Sequence, residues 1–213
     1  LWFPVDVSTS AQATLGGMAG NNSCGSRSIA YGNMVHNVHA IDALLSDGSQ
    51  ARFGPAAEMQ SAPAPVRGLL DKLRAIGERE REEIERRVPT VLRRVGGYNL
   101  DVFHPQSERP YTADGSVNLA HLLVGSQGTL ACFRRLHLQL ARLPAARVLG
   151  AVRFASLHAA MDCVQHVVKL APSAVELFDA GMIELSRVEP ALRRALESAL
   201  DEDRGRAPQA MLL

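Results

Sequence analysis

The stretch that decides the fold spans residues 13–32 and reads Ala-Thr-Leu-Gly-Gly-Met-Ala-Gly-Asn-Asn-Ser-Cys-Gly-Ser-Arg-Ser-Ile-Ala-Tyr-Gly. Its glycines stand among small hydroxyl and amide side chains. A phosphate-bearing ligand can therefore approach the backbone N–H groups without meeting a Cβ atom. The pattern predicts a cofactor-binding loop flanked by strands. A glycine-rich structural turn is the alternative explanation for the glycines taken alone.

Three later motifs follow in order. A predicted strand over 40–45 leads into Asp47-Gly48, Gly97-Tyr98-Asn99-Leu100 comes next, and residues 123–130 read Leu-Val-Gly-Ser-Gln-Gly-Thr-Leu. The ordered set resembles the FAD-linked oxidases of the vanillyl-alcohol oxidase type, which have a PCMH-type FAD-binding domain. Within them it is most similar to the D-lactate, glycolate and D-2-hydroxyglutarate dehydrogenases.

The resemblance implies an α+β fold: the second half of a PCMH-type FAD-binding domain over 1–146, then the start of a ferredoxin-like α+β substrate or cap domain over 147–213. It implies a middle fragment, lacking the first half of the flavin domain and most of the substrate domain. We therefore expect catalytic residues to lie outside the chain. We also expect the chain alone to bind FAD weakly or not at all, because a half-built site loses contacts and orientation.

The resemblance further implies that FAD is the cofactor and that the parent is an FAD-dependent oxidoreductase. Such an enzyme oxidises a small D-2-hydroxy acid by hydride transfer to flavin, with an electron acceptor that is unknown here. The sequences of residues 21–32 and 174–177 are most similar to those of large bacterial members that carry an iron–sulfur cluster in a later domain. A non-catalytic flavin-binding subunit or scaffold is the alternative. A UDP-sugar reductase is disfavoured by the motifs at 97–100 and 128–130.

Backbone amides with hydroxyl and amide side chains suit a pyrophosphate and a ribityl chain. The candidate FAD contacts are Thr14, Gly16, Gly17, Asn21, Asn22, Ser23, Gly25, Ser26, Gly125, Gln127 and Gly128. Gln127 replaces the family's usual Glu, which removes a negative charge and keeps an acceptor oxygen. That change bears on cofactor affinity and redox tuning.

Arg93 and Arg94 immediately precede the Gly-Gly-Tyr-Asn motif. In the resembled dehydrogenases an Arg at this place holds the substrate carboxylate, which a planar guanidinium matches bidentately. The alternative is the solvated end of the preceding helix.

We predict no metal site at His36 and His39, because the approach to a strand places residues three apart on opposite faces.

Composition limits the remaining function classes. The 213 residues are 46% hydrophobic with a formal net charge of +1, so nothing in the charge favours nucleic acid or a membrane surface. The isolated cysteines at 24, 132 and 163 are typical of a reducing compartment, and Cys24 is interpreted as a small loop residue. With no signal peptide and no apolar run long enough to span a bilayer, we predict a cytoplasmic protein.

Periodicity predicts the other elements. A hairpin joins 40–45 to 51–54, an amphipathic helix carries Val66, Leu69, Leu70, Leu73 and Ile76, and the alternating charges of 77–87 indicate a solvated helix. A loop over 101–118 precedes a half-buried strand with Phe133, Leu136, Leu138 and Leu140. Beyond it, strands are predicted over 148–154 and 174–178, and helices over 157–170, 179–186 and 190–200, with a further strand beginning near Leu213.

Overall fold

The computed structural model describes residues 1–190, 193 and 208–213. The chain divides into two compact units, Leu1–Leu143 and Pro144–Leu213. Each unit combines helices with an antiparallel sheet, which agrees with the predicted α+β class. The assignment of 1–146 to an FAD-binding domain and of 147–213 to a substrate domain stays a prediction.

Most of the described helices and strands are short. The helices are α1 (Leu15–Gly20), α2 (Ser28–Tyr31), α3 (Met34–Asn37), α4 (Ala64–Arg79), α5 (Arg81–Arg87), α6 (Ala120–Leu123), α7 (Leu157–Val167) and α8 (Ala180–Val188). The strands are β1 (Val38–Leu44), β2 (Gln50–Phe53), β3 (Cys132–Leu138), β4 (Val152–Phe154), β5 (Leu177–Asp179) and β6 (Ala210–Leu212). Single 3-10 turns cover Glu58–Ser61, Leu100–Phe103 and Val168–Leu170.

The first sheet has the strand order β2-β1-β3, and both pairings are antiparallel. The predicted hairpin is confirmed: Gly48 turns the chain at φ 82°, and the Asp47 carboxylate accepts from the backbone N–H of Ser49. Ile41 lies opposite Phe53 on one side and Leu136 on the other. Because Ile41 is fully buried, this register fixes which face of the sheet meets the core.

The predicted amphipathic helix is confirmed as α4, which begins after Pro63 and buries Val66 and Leu70. The charged stretch becomes the end of α4 and the whole of α5, with Ile84 as the buried residue of α5. The predicted strand near the end of this unit is confirmed as β3, and Leu140 lies beyond its end and is exposed.

The structure of the glycine-rich stretch differs from the predicted loop. It forms two short helices, α1 and α2, rather than an open loop, and before it the described residues have only an isolated bridge between Trp2 and Ala141. The hydroxyl of Thr14 caps α1 by accepting from the N–H of Gly17. Helix-forming Leu15, Met18 and Ala19 offset the cost of the intervening glycines over this short span.

The second unit places β6 between β4 and β5, with both neighbours antiparallel to it. The predicted helix over 157–170 is confirmed, but the strands are shorter or shifted: β4 covers the last three residues of 148–154, and β5 begins at Leu177. Asp179 caps α8 instead of joining it. The predicted helix over 190–200 lies almost wholly outside the described residues.

Residues 101–118 lack regular structure after their 3-10 turn, as predicted for a loop. The segment nevertheless packs against the rest of the unit instead of projecting into solvent. Asp101, Val102, Tyr111 and Asn118 are buried. Among the helices of the described ranges, none combines the length and the apolar character that crossing a bilayer requires.

Candidate functional site

Two glycine-bearing segments of the first unit face one another across an open cleft of about 560 Å³. One side is the exposed face of α1 and the other is the turn after α6, followed by the start of β3. The lining residues are Gly16, Gly17, Gly20, Asn21, Gln127, Gly128, Ala131, Cys132 and Phe133. The structure therefore brings together residues that the sequence separates by more than a hundred positions.

Backbone hydrogen bonds join the two sides of the cleft. The N–H of Gly125 donates to the carbonyl of Ala19, and the N–H of Gln127 donates to the carbonyl of Gly20, both at 2.9 Å. These bonds satisfy carbonyls at the C-terminal end of α1, which has no further turn to accept from. The Gly-Ser-Gln-Gly turn is thus fixed directly against the glycine-rich segment.

The cleft surface is open because small residues line it. A Cβ added at Gly16 or at Gly128 would meet no atom within 4 Å, so the backbone at both positions is accessible from the cleft. Gly128 has φ 78°, and Gln127 beside it has φ 51°, a left-handed conformation that is uncommon for a residue with a side chain. The side chain of Gln127 is exposed where it lines the cleft.

The second half of the glycine-rich stretch lies away from the cleft and makes internal contacts. Asn22 is 1% exposed; its carbonyl oxygen accepts from the N–H of Val35, and its amide donates to the carbonyl of Arg94. The hydroxyl of Ser23 accepts from the Asn21 amide, and its own carbonyl accepts from the N–H of Met34. These residues fix the stretch to the core.

Asp6 holds the next part of the stretch. Its carboxylate accepts from the hydroxyl of Ser26 and from the N–H of Arg27. A Cβ at Gly25 would stand 1.9 Å from the Asp6 carbonyl oxygen, so the glycine is required by this close approach. No sequence motif pointed to Asp6.

The two candidate arginines differ sharply in environment. The guanidinium of Arg93 is exposed and lies 3.2 Å from the Sγ of Cys24, so it sits against the glycine-rich stretch. The side chain of Arg94 is 10% exposed and is paired with Asp101 at 2.5 Å. The solvated-helix-end interpretation therefore does not describe Arg94.

Arg94, Asp101 and Tyr111 form a buried polar cluster, with His36 and His121 packed against the tyrosine ring. Nη2 of Arg94 donates to Asp101 and to the hydroxyl of Tyr111, which itself donates to both carboxylate oxygens of Asp101. Burial raises the pKa of Tyr111, and the charge of Asp101 raises it further. No sequence motif pointed to Asp101 or Tyr111, because the irregular loop that carries them meets Arg94 only in the folded chain.

His36 and His121 remain neutral near physiological pH. Burial lowers the pKa of each to about 4, and the positive charge of Arg109 contributes at His36. His36 lies in the short helix α3, which leads directly into β1, and His39 lies in β1. Within the described ranges, no group of three or more His, Cys, Asp or Glu side chains is arranged to hold a metal ion.

Arg109 also contacts the glycine-rich stretch, and no sequence pattern predicted this. Its guanidinium donates to the carbonyls of Ser28 and Ile29, at 3.1 and 2.6 Å, in α2. Hydrogen bonds from a charged donor such as a guanidinium are stronger than those between neutral groups. The loop over 101–118 thus holds the glycine-rich stretch at two points, through Arg109 and through the buried polar cluster.

Comparison with known proteins agrees with these motifs. Residues 1–54 match the family described as the FAD binding domain. The D-2-hydroxyglutarate dehydrogenase of Pantoea ananatis is 28% identical over 87% of this chain and 18% of its own length, and that of Pseudomonas putida is 30% identical over the same shares. The probable mitochondrial D-lactate dehydrogenase of Danio rerio is 26% identical over 89% of this chain and 25% of its own length.

The chain therefore spans about a fifth of the length of the bacterial relatives that it matches. The resemblance to the FAD-linked D-2-hydroxy-acid dehydrogenases is confirmed, and the FAD binding domain match supports FAD as the cofactor.

Proposed function

Because the chain is related to the FAD-dependent D-2-hydroxy-acid dehydrogenases, we propose that it forms part of an enzyme that oxidises a small D-2-hydroxy acid with FAD. The observation that carries the proposal is the glycine-lined cleft between α1 and the turn at 125–128. Two of the motifs that carry the family resemblance form the two sides of that cleft. When bound, FAD supplies the hydride acceptor for the α-carbon of the hydroxy acid.

The residues of the cleft fit a flavin nucleotide. Open space at the would-be Cβ positions of Gly16 and Gly128 lets a pyrophosphate or ribityl chain approach the backbone closely. Asn21 and Gln127 add amide donors and acceptors at the rim. We assign flavin contact to Thr14, Gly16, Gly17, Asn21, Gln127 and Gly128, and we assign the shaping of the cleft to Asn22, Ser23, Gly25, Ser26 and Gly125.

Arg93 is our assignment for the substrate carboxylate. Its guanidinium is exposed, carries no carboxylate partner among the described residues, and lies beside the glycine-rich stretch. The fork of an arginine matches a carboxylate bidentately, and each charge-assisted hydrogen bond is worth about 1.5–3 kcal/mol. Arg94 is engaged by Asp101 and is not available for this role.

A non-catalytic flavin-binding subunit remains the second candidate, because the cleft supports flavin binding and does not by itself supply chemistry. Anaerobic mixing of the flavin-loaded whole protein with D-lactate, glycolate and D-2-hydroxyglutarate separates the two. Bleaching of the flavin absorbance by one of these acids supports the dehydrogenase. An unchanged spectrum with all three favours the non-catalytic subunit.

The flavin site itself is tested by Gly16→Val in the whole protein. The new side chain would project into the cleft without meeting another part of the chain, so we expect a folded protein that has lost bound flavin. Gly68→Val in α4 is the matched control, since it also adds a side chain in open space but does not line the cleft. Equal flavin absorbance in both variants would contradict the assignment.

A further inference from the structure

Asp101 and Tyr111 are too deeply buried to touch a ligand, but they contact Arg94, the neighbour of the proposed substrate-binding residue Arg93. Asp101 is 0% exposed and Tyr111 is 7% exposed. Both contact the same nitrogen of Arg94, and Asn99 accepts from that nitrogen at 3.2 Å. A single guanidinium nitrogen of Arg94 thus bonds to three side chains from the segment that follows it.

The backbone of Arg94 is fixed as well. Its carbonyl accepts from the Asn22 amide at 3.3 Å and from the Asn33 amide at 3.4 Å. Asn22 belongs to the glycine-rich stretch, and Asn33 follows it directly. Arg94 is therefore held by its side chain from one direction and by its backbone from the other.

Asn99 ties the same segment to the second side of the cleft. Its amide donates to the carbonyls of His121 and Val124, each at 3.0 Å, immediately before the turn that begins at Gly125. A Cβ on Gly125 would lie 3.3 Å from the Gly97 carbonyl, so the two segments are already in close contact. Residues 94–99 therefore connect both sides of the cleft.

We infer that Tyr111 and Asp101 are positioning residues that act through Arg94 to hold Arg93 in place for the carboxylate of the substrate. The inference rests on the proposed function. Arg93 has a long flexible side chain that lies against Cys24. Less conformational freedom is lost when it binds a carboxylate if its backbone is already fixed. The adjacent Arg94, held through its backbone carbonyl and through its guanidinium, supplies that fixed origin.

Tyr111→Phe in the whole protein tests this with the smallest change, because it removes one hydroxyl and keeps the buried ring. We expect KM for the hydroxy acid to rise about 3- to 10-fold, with kcat and flavin content unchanged, since one hydrogen bond of the cluster is lost. The assays use D-lactate, glycolate and D-2-hydroxyglutarate in parallel. A fall in kcat at constant KM would overturn the inference.

A double-mutant cycle with Arg93→Lys separates positioning from general loosening. Arg93→Lys alone should raise KM about 10- to 100-fold, because lysine keeps the charge and loses the fork. Once Arg93 is gone, Tyr111→Phe should raise KM no further. Fully additive effects would show that Tyr111 acts independently of Arg93. No effect of Arg93→Lys alone would instead overturn its substrate role in the proposed function.

Trypsin cleavage of the full chain gives a readout that needs neither flavin nor substrate. We expect cleavage after Arg93 to be several-fold faster in Tyr111→Phe than in the unmodified chain, because the peptide bond at Arg94 is held less firmly. Cleavage after Arg87, in the exposed helix α5, is the internal control and should be unchanged. Equal rates after Arg93 in both proteins would contradict the inference.

Discussion

The buried polar cluster and helix α5 are both built from opposite charges, but they use them in different ways. In α5, Arg81 pairs with Glu85 while Arg86 and Arg87 share Glu83, and all of these side chains are well exposed. Such pairs contribute little because water and salt screen them. In the buried polar cluster a single ion pair is enclosed with a tyrosine and two neutral histidines.

The difference teaches that the number of ion pairs is a poor guide to their importance. An enclosed pair adds little net stability when intact, because desolvation offsets much of the attraction. Removing one partner is costly, since a bare charge is then left in the interior. The comparison therefore predicts a large response to mutation in one region and almost none in the other.

Among the substitutions, Asp101→Asn should have the largest effect. It leaves the Arg94 guanidinium buried without a counter-charge, and we expect a loss of about 3–5 kcal/mol in the free energy of unfolding, measured by urea denaturation. Asp114→Asn is the control, since Asp114 is an exposed carboxylate of the same loop that bonds to nearby Ser116. Similar unfolding midpoints for the two variants would refute the comparison.

Acid should also destabilise the buried polar cluster. The pKa of His36 and that of His121 are each lowered from 6.5 to about 4, so the unfolded chain binds more protons between these values. Stability is therefore complete above about pH 6.5 and falls toward pH 4, by up to about 3 kcal/mol for each histidine.

Urea denaturation at a series of pH values measures this slope, and replacing both histidines by Gln should flatten it. His158→Gln, on the exposed side of α7, should leave the profile as it is in the unmodified chain. A slope that survives the double replacement would place the acid sensitivity elsewhere in the molecule.

Glu83→Gln should have the smallest effect although it breaks two ion pairs at once. Because both arginines and the glutamate are exposed, we expect a change of less than about 0.5 kcal/mol in the free energy of unfolding, and less still at high salt. A loss comparable with that of Asp101→Asn would mean that α5 is held through its charges rather than through Ile84.

Local order was predictable because its causes are local. The turn at Asp47-Gly48, the amphipathic face of α4 and the solvated charges of α5 each follow from residues within a few positions. The prediction for the glycine-rich stretch was wrong in one respect. Its small residues predicted a loop, but the Thr14 cap and the helix-forming residues beside the glycines favour the helix α1. Its accessible backbone at Gly16 was nevertheless predictable.

By itself, the sequence determined the α+β class, the order of the motifs and the family that they resemble, because these depend on residue type and spacing. Only the tertiary structure decided which candidate residues share a site. It placed Gln127 against Gly20, turned Asn22 inward, and separated Arg93 from Arg94 by pairing the latter with Asp101. Neighbouring residues of one type are equivalent in a sequence. In the folded chain they differ, because burial and partners from distant segments fix which of them is free to bind.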